Sequence, residues 1–489
     1  MICLKKHFPT LLPIIFSISF IVGLYSCNDE LISSDPKYRL EFSTDTLTFD
    51  TVFTTLGSAT SKIVLYNRNK VGLNISSIKI KNGSTTFFKI NVDGRKSATN
   101  EFENIEIRPN DSLYIFVAVT INPNNDNSPI LVEDSLNFIT NGVKKSIKLN
   151  AYGQDMELFR NKLIKNDTTL TADKPYLIYG NLTVDSAKTL TLNPGCRLFF
   201  HNNANLIVHG NLKAEGTADK LITLRGDRLD DIQFSTPVPY NNVAGQWGGV
   251  YLLWEHGNHT LSHVNMNSGY VGINFVNNDK NNLPQLRISD SKIHNFLLSG
   301  LIIQNGNVTV TNTEISNSSS YCVFLNGGNH DFSHCTIANY FDNSNVQAIS
   351  RNKNPALTIM NLKLTVPMEN TFKNCIISGS AENELSFASQ TMDQYKGTFD
   401  HCYIRASTAS TLSQFTNIRW YDKNDILFKS ISYDYEKKTY FNFTPDSLSP
   451  VRGLADKAVA AQFPIDLNGK SRLTDGAPDA GAYEWILTK

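Results

Sequence analysis

A short motif recurs six times in the second half of the chain and constrains the fold more than any other feature. Each copy reads apolar, any residue, Asn/Asp/His, small, any residue, apolar. The small residues are Val264, Ser291, Thr313, Cys335, Cys375 and Cys402, spaced 27, 22, 22, 40 and 27 residues apart. Repeats of about 20 to 30 residues are typical of solenoids, and the β-rich composition favours a parallel β-helix over helical repeats.

A second apolar stretch precedes four of the motifs, so each coil supplies at least two strands, which stack about 4.8 Å apart. These stretches are 249–252, 272–275, 300–303 and 321–324. We expect the small motif residue to face the core, which makes Cys335, Cys375 and Cys402 buried and inert. The Asn, Asp or His before it is expected in a tight turn that tolerates left-handed geometry. That position holds His263, Asp290, Asn312, His334, Asn374 and His401.

Further stretches resemble the right-handed parallel β-helix proteins of the pectate-lyase-like fold. The matching residues are 206–217, 221–224 and 246–250, in an early-coil pattern, and 466–472 and 478–484, in a closing segment. The resemblance covers about residues 160–489 and implies a fold without indicating an activity. We therefore predict an all-β protein with a right-handed parallel β-helix over residues 156–489 and a C-terminal cap from about residue 405.

The preceding region has a different pattern. Between residues 38 and 155, short alternating strands are separated by turn residues such as Asn82-Gly83 and Asn141-Gly142. This pattern predicts an antiparallel β-sandwich of Ig-like architecture. Residues 48–53 and 151–155 resemble the N-terminal Ig-like modules of Bacteroidetes surface lipoproteins, a resemblance that implies a spacer or docking role.

The beginning of the chain has the pattern of a secretion signal. Two lysines precede an apolar run that ends in Leu-Tyr-Ser-Cys at residues 24–27. This tetrapeptide resembles a bacterial lipobox, which implies removal of residues 1–26 and lipid attachment to Cys27; the alternative is an ordinary signal peptide. Residues 27–37 are then a tether, and Asn-Asp-Glu at 28–30 resembles the export signal of Bacteroidetes surface lipoproteins. We expect a lipid-anchored protein of the bacterial outer membrane, exposed at the surface.

Charge and cysteine content exclude several classes of function. The chain has 45 basic and 45 acidic residues, which argues against a nucleic-acid partner because phosphate binding needs a basic excess. Apart from Cys3 and Cys27, five cysteines remain, without a C-x-x-C pair, which favours neither a disulfide framework nor a zinc site. His256, His259 and His263 do not converge on strand geometry, so we predict no metal site.

Catalytic motifs are sparse. The sequence has no nucleophile elbow, phosphate loop or dinucleotide fingerprint. The best candidates for a polysaccharide lyase are Arg287 and Asp290, one coil from His263, which could hold a uronate and remove a proton. We expect no cofactor, with Ca²⁺ the exception if the protein is a lyase. The alternative is that Asp290 and His263 only shape their turns.

Aromatic residues are concentrated after the last motif. Trp420, Tyr421, Tyr433 and Tyr435 could stack on sugar faces and form a binding platform. The alternative is a hydrophobic cap that closes the open end of the solenoid.

The sequence therefore predicts a surface protein with a non-catalytic glycan-binding or adhesion role. Its expected partners are the membrane, through the lipid, and a polysaccharide or surface protein. Two alternatives are a polysaccharide lyase or glycoside hydrolase on the β-helix, and a structural protein of the envelope. The near-neutral charge favours neutral glycans over polyuronates.

Overall fold

The computed structural model describes residues 31–232, 238–253, 257–277, 283–343, 347, 349–361, 368–388, 396–433 and 441–486. The chain divides into two compact units, Met1–Gln154 and Asp155–Lys489. Strands dominate both units, which confirms the predicted all-β class.

The N-terminal unit contains two sheets of short strands. The strands are β1 (Ile32–Ser33), β2 (Glu41–Phe42), β3 (Thr46–Phe53), β4 (Ser61–Tyr66), β5 (Gly72–Ile80), β6 (Phe88–Val92), β7 (Arg95–Lys96), β8 (Glu101–Phe102), β9 (Ile105–Ile107), β10 (Ser112–Val119), β11 (Ile130–Thr140) and β12 (Val143–Gln154). One sheet has the order β1-β5-β11-β12-β3, with β8 and β9 also beside β5, and the other has the order β2-β4-β10-β6-β7.

Side-chain alternation explains why the two sheets pack face to face. On β10, Leu113 and Ile115 point inward and are at most 5% exposed, whereas Tyr114 and Phe116 are 43% and 40% exposed. Inward residues of both sheets form one hydrophobic core, which confirms the predicted Ig-like sandwich. Most pairs are antiparallel, but β3 pairs with β12 in parallel, as β1 does with β5.

The C-terminal unit is a stack of coils. The strands of its first half are β13 (Glu157–Ile164), β14 (Thr168–Leu170), β15 (Tyr176–Val184), β16 (Thr189–Leu192), β17 (Arg197–Phe200), β18 (Asn205–Val208), β19 (Asn211–Glu215), β20 (Ile222–Gly226), β21 (Asp231–Ile232), β22 (Val238–Pro239), β23 (Gly249–Leu252), β24 (Asn258–Ser262), β25 (Val264–Asn267), β26 (Val271–Val276), β27 (Gln285–Ser289) and β28 (Lys292–Phe296). The second half contains β29 (Ser299–Thr311), β30 (Glu314–Ser318), β31 (Val323–Ser333), β32 (Thr336–Asn339), β33 (Asp342–Asn343), β34 (Ile349–Ser350), β35 (Leu357–Met360), β36 (Met368–Lys373), β37 (Ile376–Gly379), β38 (Leu385–Ala388), β39 (Lys396–Asp400), β40 (Tyr403–Ile404), β41 (Phe415–Thr416), β42 (Arg419–Trp420), β43 (Phe428–Ser430), β44 (Asn442–Pro445) and one helical turn, α1 (Lys457–Ala460).

Parallel pairing joins these coils into one sheet of 26 strands, β13–β20, β23–β32 and β35–β42. Each strand pairs with the equivalent strand of the next coil, as β25 does with β28 and β28 with β30. This confirms the predicted parallel solenoid. The ladder extends to Trp420, beyond the residue near 405 at which the cap was predicted to begin.

The interior is built from stacked equivalent positions, as the motif predicts. The small motif residues are at most 2% exposed, namely Val264, Ser291, Thr313, Cys335, Cys375 and Cys402. Beside them, the rings of Phe332, Phe372 and Phe399 stack with centroids 4.8 and 4.7 Å apart. Burial raises the pKa of the Cys375 and Cys402 thiols, which keeps them protonated and unreactive.

The polar residue before each small residue has a left-handed backbone, which confirms the predicted turn geometry. The φ angle lies between 46° and 53° at His263, Asp290, Asn312, His334, Asn374 and His401. This conformation costs most L-residues about 1–2 kcal/mol, whereas Asn, Asp and His occur in it several times more often than other residues. The turn therefore explains the residue types of this column without any catalytic role.

Different segments cover the end and the side of the solenoid. Phe415, Ile418 and Trp420 are partly buried against the core at the last coil, so they close that end. Residues 441–486, hereafter the tail, turn back along the side, where a separate hydrophobic cluster includes Phe443 of the tail and Ile376 of a coil. The predicted cap is thus divided between an end cover and a lateral segment.

Candidate functional site

An outward-facing column of side chains runs along the solenoid at the second variable position of the motif. Strand register aligns Asn265, Lys292, Glu314, Thr336, Ile376, Tyr403 and Arg419. The first two residues of this outer column are partly exposed, whereas those from Glu314 to Tyr403 are at most 1% exposed. Side chains that point away from the core are therefore covered by another part of the chain.

The tail provides this cover through hydrogen bonds to successive coils. The Tyr483 hydroxyl donates to the Glu314 carboxylate. In the next coil, the Ala482 backbone N–H donates to Thr336 Oγ1 over 2.9 Å. The tail therefore follows the outer column in register with the coils.

The close approach of the tail to the following coil requires a glycine. Gly481 donates its backbone N–H to the Asn374 carbonyl over 2.8 Å and has a φ of 95°. A Cβ at this position would lie 2.6 Å from Ile376 Cδ1, closer than nonbonded carbon atoms can approach. The backbone of the tail therefore lies directly against the coil.

A buried arginine fastens the tail to the turn column. Arg472 is 0% exposed, and it donates from Nη2 to Asn312 Oδ1 over 2.7 Å and from Nη1 to Glu484 Oε2 over 3.4 Å. Burial, with a further contribution from the Asp479 carboxylate, raises the pKa of Glu484 to about 8. One guanidinium thus connects a coil with the final turn of the tail.

A cavity of about 440 Å³ lies beside the last coils, at the Tyr403 end of the covered part of the outer column. It is lined by Tyr340, Ser378, Tyr403, Arg405, Tyr421, Asp425 and residues 426–432, and is hereafter called the tyrosine pocket. Tyr340 directly follows β32, Tyr403 lies in β40 and Tyr421 directly follows β42. These strands belong to one parallel ladder, β32-β37-β40-β42, so the stacking of the coils brings the three rings together.

The Asp425 carboxylate, which lines the tyrosine pocket, accepts three hydrogen bonds from neighbouring groups. The Tyr403 hydroxyl donates to Asp425 Oδ2 over 3.1 Å, while Arg419 Nη2 donates to Asp425 Oδ1 over 2.7 Å and the Asp422 N–H donates to Oδ2 over 2.8 Å. Burial and the Asp425 charge raise the pKa of Tyr403. The Tyr403 hydroxyl is therefore protonated at neutral pH and is a poor general base.

The walls combine aromatic rings with polar groups. The Arg405 guanidinium lies over the Tyr421 ring, 4.2 Å from its centroid, and the Tyr340 hydroxyl lies 2.9 Å from Ser378 Oγ. Ile426 and Ile431 are 50% and 47% exposed at the rim. Rings and aliphatic groups around a few fixed polar atoms are typical of small-molecule sites, and tyrosine combines a flat apolar face with a hydrogen-bonding edge.

The candidate lyase residues do not form a comparable site. His263 and Asp290 occupy equivalent turns of adjacent coils, and Asp290 Oδ1 accepts a hydrogen bond from Asn312 Nδ2 over 2.7 Å. Arg287 is exposed on β27, between Thr260 and Thr309 of the neighbouring coils. Among the described residues, Arg287 and Asp290 form no ion pair. The structure thus places His263 and Asp290 in adjacent turns and Arg287 on the strand that precedes Asp290.

The predicted aromatic platform is divided among different environments. Tyr421 lines the tyrosine pocket, whereas Trp420 packs against Phe415 at 5.4 Å and covers the end of the core. The Tyr433 hydroxyl accepts a hydrogen bond from Asn242 Nδ2 over 2.7 Å. Three residues considered from the sequence, Cys27, His256 and Tyr435, lie outside the described residues.

Sequence reasoning missed Tyr340, Tyr403 and Arg405. A signal was present, because Tyr403 occupies the outward motif position that holds polar Asn265 and Lys292 in earlier coils. A large aromatic residue at an outward position indicates that something packs against it.

A second polar cluster lies on the early coils and was also missed. Arg160 lies 4.8 Å from the Tyr179 ring centroid, the rings of Tyr179 and His201 stack at 4.1 Å, and His201 Nδ1 lies 2.7 Å from Asp227 Oδ2. The carboxylate orients the imidazole through Nδ1 and leaves Nε2 as the nitrogen available for proton transfer. Within the described part of the chain, no group of three or more His, Cys, Asp or Glu side chains is arranged to hold a metal ion.

The N-terminal unit has a larger cavity, of about 740 Å³, between the segment 39–45 and the β11–β12 hairpin. Its aromatic groups, Phe42 and Phe138, pack against each other at 4.9 Å, and the long side chains of Lys144 and Lys145 line its opening. We assign the candidate site to the tyrosine pocket because its polar groups are held in place by hydrogen bonds.

None of the helices in the described ranges is long and apolar enough to span a bilayer.

Comparisons with known proteins give only weak similarities. No family model and no curated protein matches the sequence. A solved structure of a protein of unknown function from Porphyromonas gingivalis W83 matches with 14% identity and a TM-score of 0.18, over 26% of this chain and 50% of that one. A family 123 glycoside hydrolase from Clostridium perfringens matches with 11% identity and a TM-score of 0.17, over 25% and 30%.

PapD-like domain 7 of human CEP192 matches with 11% identity and a TM-score of 0.17, over 25% of this chain and 88% of that one. The chain thus spans half or less of the first two proteins. Similarities at these TM-scores support no assignment of function.

Proposed function

We propose that this protein is a non-catalytic glycan-binding protein of a bacterial outer surface and that the tyrosine pocket is its sugar site. The observation that carries the proposal is the convergence of Tyr340, Tyr403 and Tyr421 around a cavity of about 440 Å³. Binding is favoured over catalysis because Tyr403 is held protonated and Asp425 is engaged by three hydrogen bonds. A general base needs a free acceptor near neutral pH.

Retention on immobilised glycans tests this proposal. Soluble residues 28–489 would be applied to a panel of neutral and acidic polysaccharides, with released sugar ends measured in parallel. We expect retention without product, and a loss of at least tenfold in affinity for Tyr421→Ala. The matched control is Tyr114→Ala, which removes an exposed ring from the N-terminal unit. Equal retention of both variants, or no retention of the wild type, would contradict the proposal.

The proposed location depends on a lipid at Cys27 in the sequence context Leu-Tyr-Ser-Cys. Several acyl chains anchor a protein stably because each buried methylene contributes about 0.8 kcal/mol. We expect Cys27→Ser to abolish incorporation of labelled palmitate and to release the protein from the membrane fraction. Outer-membrane placement would be checked by protease accessibility on intact cells.

A polysaccharide lyase or hydrolase is the second candidate, and the His201–Asp227 pair is the observation that favours it. An imidazole oriented by a carboxylate is a common general base. Product release that is lost in His201→Ala and kept in Tyr421→Ala would move the functional site to the early coils and replace the binding proposal.

A further inference from the structure

The tyrosine pocket presents an arginine whose hydrogen-bonding capacity is largely unused. Arg405 Nε donates to the Ala381 carbonyl over 2.8 Å, and its guanidinium lies 4.2 Å from the Tyr421 centroid. In the described part of the chain, Arg405 Nη1 and Nη2 have no hydrogen-bond or ion-pair partner. Arg405 is therefore held in place by the hydrogen bond from Nε and by the Tyr421 ring, while Nη1 and Nη2 are available to a ligand.

Nearby carboxylates do not neutralise this arginine. Asp425, which also lines the cavity, is paired with Arg419 at 2.7 Å. Glu384, which lies behind the wall and donates its backbone N–H to the Arg405 carbonyl, is paired with Arg351 at 2.5 Å. Each of these anions already has its own cation, so the charge of Arg405 remains uncompensated.

A second cation adds to the positive charge. Lys429 lines the rim of the tyrosine pocket and is exposed, and within the described residues it has no ion-pair partner. At the same rim, Ser430 Oγ already donates to the Ser432 carbonyl over 3.0 Å. The charged groups that the cavity offers a ligand without a partner of their own are thus the cations Arg405 and Lys429.

We propose that the tyrosine pocket binds a sugar that carries a carboxylate, such as a uronic acid, with the carboxylate on Arg405; this inference rests on the proposed glycan-binding function. The planar guanidinium matches a carboxylate with two parallel N–H···O bonds, and stacking on Tyr421 holds it ready for that geometry. The apolar face of the sugar then lies against the tyrosine rings. The neutral total charge of the chain favours neutral glycans, but recognition depends on the local charges of the site.

A pair of polymers that differ only in the carboxylate tests the inference. Mature protein of residues 28–489 would be titrated with polyglucuronate and with the same polymer after chemical reduction of its carboxylates, at low and high salt. We expect at least tenfold tighter binding of polyglucuronate, weakened by salt. Arg405→Met should remove most of that preference. Arg405→Lys should restore only part of it, because the lysine ammonium lacks the two parallel N–H donors of a guanidinium.

Lys423→Met is the matched control, because Lys423 is an exposed cation in the same segment that does not line the pocket. It should bind both polymers as the wild type does. The carboxylate assignment would be overturned if the reduced polymer, or a sulfated derivative of a neutral polymer, bound as tightly as polyglucuronate or more tightly. Glycan binding itself would then remain supported. Retention of no polysaccharide would instead overturn the proposed function itself.

Discussion

The two halves of the outer column occupy equivalent places in the fold and have opposite environments. In the earlier coils, Asn265 and Lys292 are partly exposed. In the later coils, Thr336 and Ile376 are at most 1% exposed beneath the tail. Lys292 marks the border, since its Nζ lies 3.4 Å from the first covered carboxylate, Glu314 Oε1.

This difference shows that a repeated backbone can carry two kinds of surface. The parallel ladder determines where a side chain points, whereas the neighbour packed on it determines which residue type is stable there. The tyrosine pocket lies in the covered half, so its shape depends on both a coil and a later segment. The open half, which contains the candidate lyase residues, depends on the coils alone.

Among the substitutions considered, removal of the buried Arg472 should destabilise the covered half of the solenoid most. Arg472→Met leaves the Glu484 carboxyl and Asn312 Oδ1 without the hydrogen-bond donor that they share in a buried site. A buried polar group left unsatisfied typically costs about 1–3 kcal/mol, and two such groups are affected here. We expect a lower urea midpoint and faster hydrogen exchange in the tail, with little change in the early coils.

Lys470→Met is the control for this substitution, because Lys470 is an exposed cation of the same segment. Its side chain should contribute less than about 0.5 kcal/mol. Equal urea midpoints for the two variants would show that Arg472 does not fasten the tail.

The next largest effect should be a dependence of the folding stability on pH. Burial raises the pKa of Glu484 from 4.5 to about 8, so the folded tail favours the protonated carboxyl. The stabilising contribution is complete below about pH 4.5 and is lost as pH rises through about 8. The urea midpoint of the wild type should therefore fall from pH 5 to pH 8.5, and Glu484→Gln should reduce the fall. Glu382→Gln removes an exposed carboxylate that does not contribute to the raised pKa of Glu484, so it should leave the pH profile unchanged.

Much of the solenoid could be predicted because the backbone repeats impose local rules. A buried small residue and a left-handed turn are required in every coil, so Cys335 and Asn374 each reveal their environment from sequence alone. The parallel pairing of β3 with β12 could not be predicted, because it joins strands near opposite ends of the N-terminal unit and no local pattern records such a pairing.

The tyrosine pocket was only partly predictable for a related reason. Tyr421 was found because it lies in an aromatic-rich segment, but Arg405 lies before that segment and Tyr340 is 81 residues from Tyr421. Their convergence depends on strand register and on the path of the segment after Trp420. Neither is a local property, so no single motif records them.

The turn column offers a smaller test, confined to the open half. His263 has a φ of 51°, and its Nδ1 is buried without a hydrogen-bond partner in the described part of the chain. Valine, whose β-branched side chain crowds a left-handed backbone, should cost about 1–2 kcal/mol in His263→Val. His263→Asn should change the unfolding free energy by only a few tenths, since asparagine suits such turns. An equal loss in both variants would indicate that the imidazole matters more than the backbone.

The smallest effect is expected at Arg287, which is exposed on the open half and forms no ion pair among the described residues. Surface substitutions of this kind usually change stability by less than about 0.5 kcal/mol, so Arg287→Ala should unfold as the wild type does. It should also bind polyglucuronate normally, in contrast to Arg405→Met, because only Arg405 lies in a cavity with aromatic walls. If Arg287→Ala instead abolished the release of unsaturated sugar ends, the open half would be the functional face and the covered half only its support.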